Sequence, residues 1–359
     1  MYRADPEDSG NLIRMLAYPD KPGPGAKVAI LSPGAGLPEI FPAPYELGLT
    51  RLREDFDLVP VEYPTTRRLG SSPAARAGDV NAAFADPSIG AVLTSIGGDD
   101  QIKVLRHLDP DVLRAHPKPF FGISDNTNLC NYLWNLGIVS YYGGTIMTLF
   151  GRGGAMNAQA AEAVRAALFT HDTYELRPAQ AYSDVDRDWN DPASTAGEPE
   201  LFTGEGWRWH GPRRTVTGPS WGGCLEVLDW NLRVGTHIQE AAAYDGCVLF
   251  LETSEELPDA NYVYRVLMCM GERGLLQRFG AAIMGRPKAW SLDDQRPPDR
   301  KAAYVAAQQE AVLKAFAEYN PDIPLVLNVD IGHTDPQLVV PYGGTVTVDA
   351  TTGRITVRY

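Results

Sequence analysis

Cysteine is scarce in this chain and never closely paired. Cys130, Cys224, Cys247 and Cys269 are the only four among 359 residues, with no C-x-x-C among them. That excludes a disulfide framework and a thiolate zinc knuckle. Three of the four lie in apolar or glycine-rich surroundings, which predicts free, mostly buried thiols. H-E-x-x-H is also missing, so no metal is implied. Long hydrophobic runs are absent too. No segment approaches the ~20 apolar residues of a membrane span. The first eight residues are polar and carry no apolar signal core, so a cytoplasmic location is expected. Positive charge is in deficit, and the formal net charge is −13. This argues against nucleic acid or an anionic membrane surface as a partner, while leaving small substrates open. Nucleotide-binding fingerprints are missing as well. Gly25-Ala-Lys27 runs into Val28 rather than Ser or Thr, and Gly34-Ala-Gly36 has Glu39 where a third glycine is required. No cofactor is therefore expected.

What is present reads as a soluble globular protein of about two domains. Val28-Ala-Ile-Leu31 is a short buried-type strand, followed by a turn and a helix over about 44–53. Leu58-Val-Pro-Val61 is a second strand, 72–86 a helix and Ala91-Val-Leu-Thr-Ser-Ile96 a third strand. Ile102, Leu105 and Leu108 then suggest another helix, and Phe120-Phe121 a fourth strand. Alternation of this kind predicts a parallel sheet covered on both faces, with active groups beyond the carboxyl ends of its strands. Residues 183–216 are acidic, turn-rich and tryptophan-bearing, and read as a connection with long loops. The second half resumes with Gly222-Gly-Cys-Leu-Glu-Val-Leu228 and the buried strand Gly246-Cys-Val-Leu-Phe-Leu251. A helix over about 259–273, a strand at 281–284, a helix over 301–318 and a strand at 325–327 follow. A hairpin, Thr345-Val-Thr-Val348 against Ile355-Thr-Val357, closes the chain.

The chemistry centres on Phe121-Gly-Ile-Ser-Asp-Asn-Thr127. An apolar run stops abruptly at Ser124-Asp125, and a helical spacing of Leu129, Leu133 and Leu136 begins. Ser124 therefore sits at a strand-to-helix turn, either as a helix N-cap or as a nucleophile lifted above the sheet. Of the six histidines, His333 stands apart. It follows an apolar strand and a glycine, where it can serve as a general base or lie idle in a loop. Glu252 ends a buried strand, and a carboxylate there needs a partner such as an imidazole. Its alternative is charge at a helix start, a part that Glu255 and Glu256 fit better. Glu226 is a rival, placed by its pattern in a strand and facing solvent. Gly97-Gly98 after the third strand lets backbone N–H groups approach a ligand, or is an ordinary turn. The N–H of Asp125 would be the second oxyanion donor. The serine context departs from G-x-S-x-G, which weakens an ordinary α/β-hydrolase reading.

These pieces in this order resemble the LD-carboxypeptidase family of serine peptidases, and within it the microcin C immunity (MccF-like) branch. The segments carrying the resemblance are Ser95-Ile-Gly-Gly-Asp-Asp-Gln-Ile102, Phe121-Gly-Ile-Ser-Asp-Asn-Thr127, Gly137-Ile-Val-Ser-Tyr-Tyr-Gly-Gly144, Gly222-Gly-Cys-Leu-Glu-Val-Leu228, Phe250-Leu-Glu-Thr-Ser-Glu-Glu256 and Gly332-His333. The resemblance implies a flavodoxin-like N-terminal α/β domain (1–180), a connecting region (181–220) and a β-rich α/β C-terminal domain (221–359). It places the active site at their interface and implies a homodimer. It also implies a triad of Ser124, Glu252 and His333, and an oxyanion hole at the backbone of Gly98 and Asp125. Gly97 and Trp189 are the expected substrate contacts. Trp189 would stack on a purine or, alternatively, anchor the insert. Stacking is worth ~1–3 kcal/mol per base in single-stranded nucleic-acid binding. The implied reaction is amide hydrolysis, on an aminoacyl- or peptidyl-nucleotide or, alternatively, on a murein L,D-tetrapeptide. Asp99 and Asp100 depart from the small or aromatic residues that many murein-type members carry there. A ligand-binding protein with Ser124 as a cap is the non-enzyme alternative.

Overall fold

The computed structural model describes residues 16–359, so the polar first eight residues lie outside the described part. Strands β1 (Lys27–Leu31), β2 (Val59–Glu62), β3 (Ile89–Thr94), β4 (Phe120–Gly122) and β5 (Ser140–Tyr142) pair in parallel, in the order 5-4-3-1-2. Val28, Ala29, Ile30, Ala91, Val92 and Leu93 are all buried. Burial on both faces explains why these strands are continuous apolar runs rather than alternating ones. Some of the helices packed on this sheet begin where the sequence supplies a cap. Ser72 accepts the Ala75 N–H and Asn157 those of Gln159 and Ala160.

The chain continues through β6 (Thr173–Leu176), β7 (Ala181–Tyr182), β8 (Phe202–Thr203), β9 (Arg208–His210), β10 (Thr215–Cys224), β11 (Val248–Glu252), β12 (Ala281–Gly285) and β13 (Leu325–Val329). It ends with β14 (Val340–Tyr342), β15 (Thr345–Asp349) and β16 (Arg354–Arg358). Eight of these make a second sheet in the order 6-16-15-10-11-12-13-9. Its centre, β10 to β13, is parallel, and its flanks are antiparallel. The expected C-terminal hairpin is the β15–β16 ladder, with Val346 and Val348 turned inward by the two-residue period. The sheets exchange strands at their margins. β14 joins the first sheet beside β5, and β6 joins the second beside β16.

Three sequence expectations change. The helix expected through Ile102, Leu105 and Leu108 is two short 3-10 turns, Gln101–Lys103 and Leu105–His107. The Asp125 carboxylate holds the Asp100 and Gln101 N–H groups at one end, and Asp109 caps a new helix at Pro110 at the other. Little chain is left between these fixed points. Residues 183–216 are not only loop. Within it β8 pairs with β7, which lies just before the stretch, and β9 extends the second sheet by pairing Trp209 with Val326. Glu226 is not in a solvent-facing strand. β10 stops at Cys224, and Glu226 lies buried in the first turn of the helix Leu225–Val234. Among the described residues no helix is long and apolar enough to cross a membrane. The cysteines are free thiols, buried at 130, 224 and 247 and exposed at 269.

Candidate active site

Ser124 lies two residues past the end of β4, and its backbone decides between the two sequence readings. Its φ is +63°, a left-handed conformation that L-residues with a side chain seldom adopt. A 3-10 turn, Ser124–Asn126, leads into the helix Thr127–Leu136. The N-cap positions are Ile123 and Asn126, and neither helix start has a side-chain cap bond. Ser124 is therefore not a cap. It is a strained corner that lifts a hydroxyl off the end of a buried strand. The corner is held by buried partners. The Asp125 carboxylate accepts the Gln101 N–H at 2.9 Å and the Asn128 amide at 2.8 Å. Asn126 donates to the carbonyls of Ile96 and Ile123. Burial pushes the Asp125 carboxyl up to about 7 against the pull of those donors.

Gly97 packs against this corner. A Cβ placed on it would stand 2.8 Å from Ser124 Cβ, 3.1 Å from Ser124 Oγ and 3.4 Å from the Asp125 nitrogen. Only glycine leaves that point open. Gly97, Gly98, Asp99 and Ser124 line one cavity of about 720 Å³. Asp100 points away and pairs with the buried Arg76 at 2.7 Å.

The other wall comes from the second sheet. Glu252 is the last residue of β11, and its Oε2 lies 2.6 Å from His333 Nδ1. His333 follows β13 and also lines the cavity. Gly332 makes this pairing possible, because a Cβ there would come within 2.5 Å of Glu252 Oε2. The second Glu252 oxygen accepts the Tyr142 hydroxyl at 2.5 Å, and that hydroxyl in turn accepts the Ser124 N–H at 3.1 Å. Tyr142 thus bridges the Ser124 corner and the buried acid. Burial, then Glu252, raises its own pKa well above the ordinary phenol value, so it remains a donor. Thr127 ties the sheets again, accepting the Cys224 N–H at 3.1 Å.

Charge is concentrated beside His333. Burial works to lower the imidazole pKa, but Glu252, Glu255 and the hydrogen bond to Glu252 outweigh it and push it up to about 9. The Nε2 atom lies 3.3 Å from Glu255 Oε2. Glu226 accepts the N–H and hydroxyl of Ser254, both at 2.8 Å, and so shapes the loop between Glu252 and Glu255. Lys288 is buried, pairs with Asp186 at 2.7 Å and donates to the Asp184 carbonyl at 3.1 Å. Arg152 is held by Asp335 and Glu198. Trp189 stands on the cavity wall, edge-on to Phe41 with ring centroids 5.6 Å apart.

Ser124, Gly97, Gly98, Asp99, Trp189 and His333 thus line this one cavity, with Asp125 and Glu252 immediately behind it, while Asp100 and Glu226 are turned elsewhere. Tyr142, Glu255 and Lys288 were missed. Tyr142 and Lys288 each stand at or just past the carboxyl end of a parallel strand, where such groups collect. Glu255 looked like ordinary charge in a polar run.

The comparisons with known proteins agree with this architecture. The LD-carboxypeptidase N-terminal domain matches residues 28–143 and the LD-carboxypeptidase C-terminal domain residues 217–348. A Streptomyces coelicolor protein named a carboxypeptidase is 29% identical over 96% of this chain and 97% of its own length. The crystal structure of an MccF-like protein from Streptococcus pneumoniae in complex with AMP is 27% identical. It covers 93% of this chain and 99% of its own, with a TM-score of 0.82. The microcin C7 self-immunity protein MccF of Escherichia coli is 24% identical over 76% of this chain and 75% of its own length. MccF in complex with aspartyl sulfamoyl adenosine shares the fold over 96% of this chain and 98% of its own, with a TM-score of 0.79 and 21% identity. With both halves matched in order and one fold along nearly its whole length, the chain belongs to the LD-carboxypeptidase family.

Proposed function

We propose that the chain is a serine amidase working through Ser124, His333 and Glu252. The observation that carries this is the 2.6 Å Glu252–His333 pair, whose imidazole lines the same cavity as a serine in a strained, left-handed corner. In the proposed reaction Ser124 Oγ bonds to the amide carbonyl carbon as His333 Nε2 takes its proton. Glu252 holds Nδ1–H and stabilises the imidazolium. The N–H groups of Gly98 and Asp125 receive the oxyanion beside the space that Gly97 leaves open. His333 then protonates the leaving amine, and water releases the acyl group from Ser124.

The substrate class favoured is an aminoacyl- or peptidyl-nucleotide. Trp189 on the cavity wall is available to stack on a base, and two similar structures were solved with AMP and with aspartyl sulfamoyl adenosine. A murein L,D-tetrapeptide is the second reading, favoured by the carboxypeptidase name of the Streptomyces coelicolor relative. The deciding experiment incubates the protein separately with aspartyl sulfamoyl adenosine and with an L,D-tetrapeptide and follows both by mass spectrometry. Cleavage of the first is expected. Cleavage of the tetrapeptide alone would replace the first reading with the second.

A further inference from the structure

His333 presents two ring nitrogens, and both face carboxylates. Nδ1 lies 2.6 Å from Glu252 and Nε2 lies 3.3 Å from Glu255. The two acids differ in kind. Glu252 is fully buried at the end of β11, and its other oxygen is bound by Tyr142. Glu255 sits three residues further on, in a loop tethered through Ser254 to Glu226, and its side chain is 56% exposed. Glu252 is fixed, whereas Glu255 is free to leave.

Nε2 is the nitrogen that a proton from Ser124 must reach. We propose that Glu255 is a positioning residue for the base, one that occupies His333 Nε2 in the resting site and must give it up before Ser124 can react. This rests on the serine amidase reading above. While Glu255 is in place, the ring is an imidazolium bonded through both nitrogens and has no lone pair to offer. The Nε2 proton leaves by way of Glu255 to solvent. The freed lone pair then accepts the Ser124 proton as Oγ bonds to the carbonyl carbon. No further reagent enters this balance.

Other charges face the ring from several elements. Glu226 lies on the helix Leu225–Val234, Glu256 beside Glu255, and Asp186 beside Lys288. Lys288 stands 3.5 Å from the His333 carbonyl oxygen, but it is committed to Asp186. The field is therefore negative on balance, and Glu255 is the member of it that touches Nε2.

The test compares the full-length protein with E255Q and E256Q. The first readout is the His333 ring titration, followed by nitrogen-15 NMR and assigned with H333Q. The second is the pH dependence of the p-nitrophenolate burst from p-nitrophenyl acetate. In E255Q the ring is expected to titrate lower by roughly one unit or more, because an opposite charge at this distance is removed. The burst rate near neutral pH should then rise about tenfold for each unit. E256Q, which acts only through the field, should shift both by less. An unmoved ring titration in E255Q, or an unmoved burst profile, overturns the proposal. A shifted ring with a burst that persists undiminished in S124A overturns the serine reading instead, and the role given to Glu255 with it.

Discussion

Ser124 and His333 face one cavity from two different sheets, and different forces hold them there. The Ser124 wall is built from backbone. A positive φ, glycines in contact and neutral amides from Asn126, Asn128 and Gln101 fix the corner. The His333 wall is built from charge. Glu252, Glu255 and Glu226 surround one imidazole, and Lys288 and Asp186 pair behind it. Backbone placement responds little to salt and fails when volume is added, although the Asp125 carboxyl, pushed up to about 7 by burial, is one group of this wall that titrates. Electrostatic placement responds to protons and to salt, though added volume at Gly332 would break this wall as well. In the proposed reaction the nucleophile is thus placed mainly by shape, and the base mainly by charge.

Substitutions can break this contrast in order of expected effect. S124A removes the bond-forming atom and should lower turnover by roughly four to six orders of magnitude. Single-turnover assays with aspartyl sulfamoyl adenosine would show this, while calorimetry shows ligand binding retained. Near-normal turnover would end the assignment. E252Q keeps the shape of the charged wall but loses the acid that fixes the His333 tautomer. A fall of roughly three to four orders is expected, with the Ser124 corner unaltered in a crystal structure of the variant. Y142F tests the bridge between the walls. It removes the donor to Glu252 and leaves the Ser124 N–H without its acceptor. A buried polar group left unpaired costs about 1–3 kcal/mol, which corresponds to a roughly 10–100-fold loss in kcat/KM. A larger fall in Y142F than in E252Q would mean that the bridge, not the charge, is the main support.

The smallest effect expected is on stability. His333 binds its proton more tightly in the folded chain, its pKa rising from 6.5 to about 9. Its stabilising contribution is therefore complete below about pH 6.5 and is lost as pH rises through about 9. Urea midpoints measured across that range should fall at the alkaline end, and H333Q should flatten the fall. An equal fall in H333Q would place the alkaline sensitivity elsewhere.

Much of the fold was legible because parallel strands buried on both faces announce themselves as unbroken apolar runs. β1, β3 and β11 were found that way, and the β15–β16 hairpin by its alternation. β9 was not. Its three residues acquire strand geometry only by pairing with β13, more than a hundred residues on. Glu226 was misplaced for a related reason. Gly222-Gly-Cys-Leu-Glu-Val-Leu alternates like a strand, yet β10 ends two residues before Glu226 and a helix begins. At the site, Ser124, Glu252 and His333 were each marked by a polar group at the end of an apolar run. Local pattern could not choose between cap and corner for Ser124, because both put a serine ahead of a helix. The φ of +63° chose.

The residue order thus settled which strands are buried, where they end and which polar groups stand at those ends. These are properties of a few neighbouring residues, governed by period and burial. The pairing of His333 with both Glu252 and Glu255, the Tyr142 bridge and the open point beside Gly97 depended on the packed chain. Each is a contact of a few ångströms between segments far apart in sequence: strand order within one sheet brings His333 to Glu252 and Gly97 to Ser124, and the packing of the two sheets brings Tyr142 to Glu252.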